Sequence, residues 1–150
     1  MGMNDVAALE YAIQIALQAH LGQQDKGGDP YILHPLRLML KMRTDLERIV
    51  AVLHDVIEDS EWTLDLLRDE GFPDEVIAAI DHLTRRSNES YEDFIERVRA
   101  NVLARTVKVA DLQDNLDISR IPELTDKDIE RIRKYHRALS VLIGSVPQLP

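Results

Sequence analysis

The chain has no cysteine, which removes disulfides, thiolate nucleophiles and thiolate-held zinc together. Any metal site must then be built from His, Asp and Glu, that is, from nitrogen and oxygen donors. No apolar run exceeds five residues, as at positions 49–53, far below the ~20 that a membrane-spanning helix needs. Residues 1–5, Met-Gly-Met-Asn-Asp, lack the basic and apolar regions of a secretory signal. A cytoplasmic protein with an unused Asn88-Glu89-Ser90 sequon is therefore expected. Basic residues are also in short supply: 18 Lys and Arg stand against 27 Asp and Glu, giving a net charge of −9 that opposes a broad nucleic-acid footprint. What remains is ordinary for a globular domain, with 45% hydrophobic and 30% charged residues over 150 positions, and one domain over 1–150 is predicted.

Apolar residues recur at three and four positions and never alternate over a strand-length run, so the fold class is all-α. A first helix is predicted from the N-cap Asn4 to position 20 or 21, with Val6, Leu9, Ile13, Ala16 and Leu17 as its buried stripe. Residues 22–32 hold three of the six glycines and a proline and must form a loop. Pro35 suits the first turn of a helix over 35–43, and Thr44 with Glu47 is a capping box for a third over 45–57. Further helices are predicted over 63–70, 73–83, 90–117 with a break near Asn101, and 125–144, the last opened by Thr125 with Asp128.

The third helix is apolar around most of its circumference and yet carries His54-Asp55, followed by Glu58 and Asp59 at the i,i+4 positions. So many buried charges cost several kcal/mol each unless something compensates them, and a divalent cation does so directly. A second polar group lies at 108–115, where Lys108, Asp111 and Asn115 share a helix face, with Asp111 a distal ligand candidate. Of the nine carboxylates from Asp55 to Glu75, Asp65, Asp69, Glu70, Asp74 and Glu75 read as solvated helix faces.

Four ordered strings carry a resemblance: Ala19-His20-Leu21-Gly22-Gln23; Gly28-Asp29-Pro30-Tyr31-Ile32-Leu33-His34-Pro35-Leu36; Leu53-His54-Asp55-Val56-Ile57-Glu58-Asp59; and Val107-Lys108-Val109-Ala110-Asp111 with Asn115. Over about residues 8–142 the chain resembles the HD-domain metal-dependent phosphohydrolases, most closely RelA/SpoT-type hydrolase domains and the small alarmone hydrolases. The resemblance implies a single HD-type bundle of about seven to eight helices. It implies His34, His54, Asp55 and Asp111 as ligands of a divalent metal, Mn²⁺ foremost. It implies Glu58 and Asp59 as the catalytic pair, positioning water and moving its proton. The implied substrate is a small phosphorylated nucleotide, an alarmone of the ppGpp or ppApp type, losing its 3′-pyrophosphate. Lys26, Asp25, Tyr31, Lys108, Asn115 and Tyr135 are its candidate contacts, with Arg85 or Arg86 as a phosphate clamp. A nucleoside monophosphate substrate and a non-catalytic nucleotide-binding module stand as alternatives, and self-association stays open.

His20 is read as tying down the following loop. His82 and His136 are read as surface or satisfied-core residues, Trp62 as packing, and Arg131, Arg133 and Lys134 as a solvated face. Two departures from the family pattern bear on the base. Asp25-Lys26 stands where Arg-Lys is usual, and Leu112-Gln113-Asp114 replaces an Arg-x-His. The first reverses a charge and removes a planar guanidinium, so adenine alarmones, NADPH and other nucleotides compete with guanine ones. The chain is expected to act alone, without a synthetase or regulatory extension.

Overall fold

A computed structural model describes residues 4–144, and those residues form nine α-helices and one 3₁₀ turn with no strand. In chain order they are α1 (Asp5–Ala19), α2 (Leu33–Lys41), α3 (Asp45–Leu53), α4 (Val56–Asp59), α5 (Leu64–Asp69), α6 (Asp74–Leu83), α7 (Tyr91–Arg99), α8 (Val102–Asn115) and α9 (Asp126–Gly144), with the 3₁₀ turn Ile118–Arg120 between the last two. None of these helices is long and apolar enough to cross a membrane.

Helix α3 is the hub. Ile49, Val50, Ala51, Val52 and Leu53 are all fully buried, and α1, α2, α6 and α8 pack around it. The local signals act as their chemistry demands. The Thr44 hydroxyl accepts the Glu47 N–H while Glu47 receives the Thr44 N–H, the two halves of a capping box. Thr125 and Asp128 exchange the same bonds at the start of α9, and Asn101 breaks the 90–117 region by capping α8 through the Ala104 N–H.

Three expectations need correction. The buried stripe of α1 is Ala8, Ala12, Ile15 and Ala16, with Val6 and Leu17 exposed; the small alanines let α1 lie close against α3, which the bulkier predicted stripe would prevent. Helix α2 begins at Leu33, two residues before Pro35, because the first-turn amides have no intrahelical partner and Pro is tolerated there. The third helix does not run to residue 57. It stops at Leu53 because the His54 ring Nδ1–H binds the Ala51 carbonyl at 2.7 Å, the acceptor that the Asp55 amide would take in a continuous helix. The chain restarts as α4 after Asp55.

Loop 22–32 is closed on itself. The Asp25 carboxylate accepts the Gly27 and Asp29 N–H groups, each at 2.9 Å, and the Asp25 N–H donates to the Asp29 carbonyl. The loop is docked onto the 3₁₀ turn so closely that a Cβ at Gly27 would lie 2.9 Å from the Arg120 carbonyl oxygen. The Asp25 carboxylate, a candidate substrate contact in the sequence, thus braces the loop.

Candidate metal centre and nucleotide cleft

Helix α2, the residue capping the end of α3, and helix α8 meet at a common point: ligand atoms of His34, His54 and Asp111 lie within 4.8 Å of one another, all three side chains being buried. His34 Nε2 is 2.9 Å and His54 Nε2 is 3.5 Å from Asp111 Oδ1. Asp55, in the break after α3, places Oδ2 2.9 Å from His54 Nε2 and accepts the Tyr31 hydroxyl.

Each imidazole has a fixed tautomer. His54 Nδ1 faces the Ala51 carbonyl and His34 Nδ1 faces the Asp114 carboxylate at 2.6 Å, and since both partners only accept, both Nδ1 atoms carry hydrogen. The His34 Nε2 lone pair then points at the Asp111 carboxylate, and His54 Nε2 lies close to the Asp55 and Asp111 oxygens, an arrangement that demands a cation among them or a proton on each ring. His54 Nε2 is buried with no hydrogen-bond partner. Two imidazoles and two carboxylates suit a borderline divalent ion, so the residues present fit the metal that the resemblance implies.

The carboxylates are supported from outside. Lys108 Nζ donates to Asp111 Oδ2 at 2.8 Å and Asn115 Nδ2 to Asp111 Oδ1 at 3.0 Å. Lys108, predicted as a substrate contact, is thus committed to the Asp111 carboxylate. Burial works to raise Asp111, but Lys108 and the two histidines outweigh it and hold the carboxyl well below its usual range. Asp55 is likewise held down to about 2 against burial, by His54. Burial lowers His34 and His54, yet the facing carboxylates win and raise both. Asp114 was not predicted. It is 4% exposed, binds His34, and is gripped by the Arg37 fork through two bonds of 2.9 Å, with Arg120 at 3.6 Å. This is a carboxylate–histidine arrangement of the kind that orients metal ligands.

Glu58 and Asp59, expected to stack on one helix face with His54 and Asp55, diverge because the helix is broken. Glu58 Oε1 accepts the Arg85 N–H at 2.8 Å, while Asp59 lies beside His20, its Oδ2 3.9 Å from that ring. Partial burial, then the Asp55 charge, raises Asp59, and partial burial is also the chief cause that raises Glu58. His20 is buried and joined to Gln23, whose amide reaches the Ala19 and Asp59 carbonyls, so it ties the α1 end to the loop and to α4.

A cleft of about 300 Å³ opens beside His34. Of the predicted contacts it is lined by Asp25, Lys26, Tyr31, Asn115 and Tyr135; Arg37, Arg120 and Arg131 complete its cationic wall. Arg85 and Arg86 lie outside it, on the 84–89 loop that Arg97 pins through Glu89 and the Asp81 and Thr84 carbonyls. Arg131 is therefore a wall of the cleft, where a solvated face was expected. Sequence spacing held the signal for two missed residues: Arg37 lies three positions after His34, and Asp114 three after Asp111. Arg120 had none, since a short 3₁₀ turn brings it in.

No protein-family model matches the chain. It is 35% identical over 113 residues to a guanosine-3′,5′-bis(diphosphate) 3′-pyrophosphohydrolase of Vibrio cholerae, covering 73% of this chain and 16% of that protein. It is 34% identical over 125 residues to a GTP pyrophosphokinase of Streptomyces coelicolor, covering 75% and 15%. The chain thus spans under a fifth of the length of the curated relatives it matches. A solved structure described as a metazoan ortholog of SpoT that hydrolyses ppGpp superposes with a TM-score of 0.71 at 19% identity, covering 95% of this chain and 97% of the other, and it shows the same helical fold. The chain belongs to the family of RelA/SpoT-type hydrolase domains, built on an HD-type helical bundle.

Proposed function

We propose that this domain is a divalent-metal-dependent pyrophosphohydrolase that removes the 3′-pyrophosphate of an alarmone of the ppGpp or ppApp type, with Mn²⁺ as the ion, in the cytoplasm. The observation that carries the reading is the convergence of His34, His54 and Asp111, with Asp55 alongside, next to a cleft walled by Lys26, Arg37, Arg120 and Arg131. The Vibrio cholerae relative bears the name of this activity.

His34, His54, Asp55 and Asp111 would hold the divalent ion, which would supply Lewis acidity toward phosphoryl oxygen and a lowered pKa for water. The chain does the rest. The cleft cations neutralise and orient the polyphosphate. Glu58 holds Oε1 on the Arg85 amide, which leaves Oε2 to take a proton from the attacking water, and the raised carboxyl makes it a better base. The proton that Glu58 takes passes through its neighbour Asp59 to the departing 3′-oxygen, so both carboxylates return to their starting state. Asp25 is turned into its own loop, so no guanidinium faces the base from that position, and adenine and guanine remain rival bases. The test is phosphate and pyrophosphate release from a nucleotide panel by Mn²⁺-loaded protein. Pyrophosphate from a 3′-diphosphate alarmone is expected. Release from nucleoside monophosphates alone, or from nothing, overturns the reading.

A further inference from the structure

On the side of Tyr135 away from the cleft, cations and aromatic rings alternate. Lys108 Nζ lies 5.3 Å from the Phe94 ring centre, Phe94 is edge-to-face with Tyr91 at 6.1 Å, and Lys134 Nζ sits 4.5 Å from Tyr91 and 5.5 Å from Tyr135. The Arg85 guanidinium covers Tyr91 at 5.7 Å and, among the described residues, otherwise binds the neutral Glu89 carbonyl. Lys134 makes no ion pair among the described residues. The Tyr91 hydroxyl is buried with no hydrogen-bond partner. In a chain of net charge −9, two cations with no carboxylate partner among the described residues and a buried, unpartnered hydroxyl meet at one ring.

We propose that Lys134, Arg85 and Tyr91 form an anion subsite that receives the terminal phosphate of the pyrophosphate group being cleaved, a role that rests on the reading above. Three features support it. Like charges crowd the site: partial burial, then Arg85, Arg131 and Lys108, disfavour the Lys134 ammonium and outweigh the exposed Glu92 that favours it, so an arriving phosphate relieves repulsion. The Arg85 amide is bound to Glu58, so a phosphate clamped by this residue is held next to the carboxylate that handles protons. Finally, Tyr135 touches both the cleft and Lys134, so a nucleotide in the cleft can extend a phosphate past that ring. The aromatic rings keep the cations in place without neutralising them.

The test is binding of inorganic pyrophosphate to Mn²⁺-loaded protein by calorimetry, which needs no turnover. The parent is expected to bind it. Lys134→Met should weaken binding at least tenfold with metal content unchanged, Lys134→Arg should recover most of it, and Tyr91→Phe, which removes only an unpartnered hydroxyl and should fold normally, should cost a few-fold. Equal binding by the parent and Lys134→Met overturns the subsite, as does loss of metal with it. Pyrophosphate binding that depends on Lys134 in a protein that releases no pyrophosphate from alarmones would leave the subsite standing and remove the activity.

Discussion

Asp114→Asn separates orientation of a metal ligand from mere occupancy of space. The buried parent carboxylate accepts the buried His34 Nδ1–H at 2.6 Å and is held by the partly exposed Arg37 fork. Asparagine keeps the shape but loses the charge, so the imidazole becomes a weaker donor and can rotate. Losing such a partner costs roughly 10–100-fold in metal affinity, or about 1.4–2.7 kcal/mol. Mn²⁺ titration calorimetry on metal-stripped protein, with circular dichroism to confirm folding, reads it directly. Arg37→Met is the companion, since it leaves the His34–Asp114 bond in place and should shift metal affinity much less. A folded Asp114→Asn with parent-like affinity, or an Arg37→Met that loses as much, would refute the reasoning. Acid stability adds an independent check. The native Asp114 carboxyl lies well below its ordinary value, first against burial and then through His34 and Arg37. Its contribution is present above about pH 4 and lost as pH falls through the native value. The asparagine variant should therefore lose less stability on acidification than the parent.

Metal-stripped protein should lose stability as pH rises above about 6.5, because His34 and His54 are raised in the fold and their contribution is complete only below the unfolded value. Melting temperatures from pH 6 to 9, with and without Mn²⁺, check this, and a flat metal-free profile counts against it. Glu58→Gln and Asp59→Asn should each lower turnover by about two orders of magnitude while metal content holds. Retained activity removes that residue from the chemistry. Asp25→Asn keeps the accepting oxygen and should leave KM nearly unchanged, whereas Asp25→Arg breaks two loop bonds worth about 1 kcal/mol each and should raise KM for guanine and adenine alarmones alike. A gain confined to guanine would show that the side chain reads the base.

The sequence by itself determined the helices and the chemistry of the polar residues within them. Capping pairs such as Thr44 with Glu47 act over three residues, and a His-Asp pair inside an apolar helix is costly whatever surrounds it, so both are legible locally. Tertiary structure decided the rest. That Ala8 and Ala12, rather than Val6 and Leu17, face α3 depends on how closely two helices approach. The break at His54 depends on a ring nitrogen taking a backbone carbonyl inside the core. Arg37, Asp114 and Arg120 come from α2, α8 and a 3₁₀ turn, and Lys134 meets Tyr91 across α9 and α7. The Arg37–Asp114 and Lys134–Tyr91 pairings join residues distant in the chain, and periodicity carries no information about which helix faces which: only the packing around α3 fixes that.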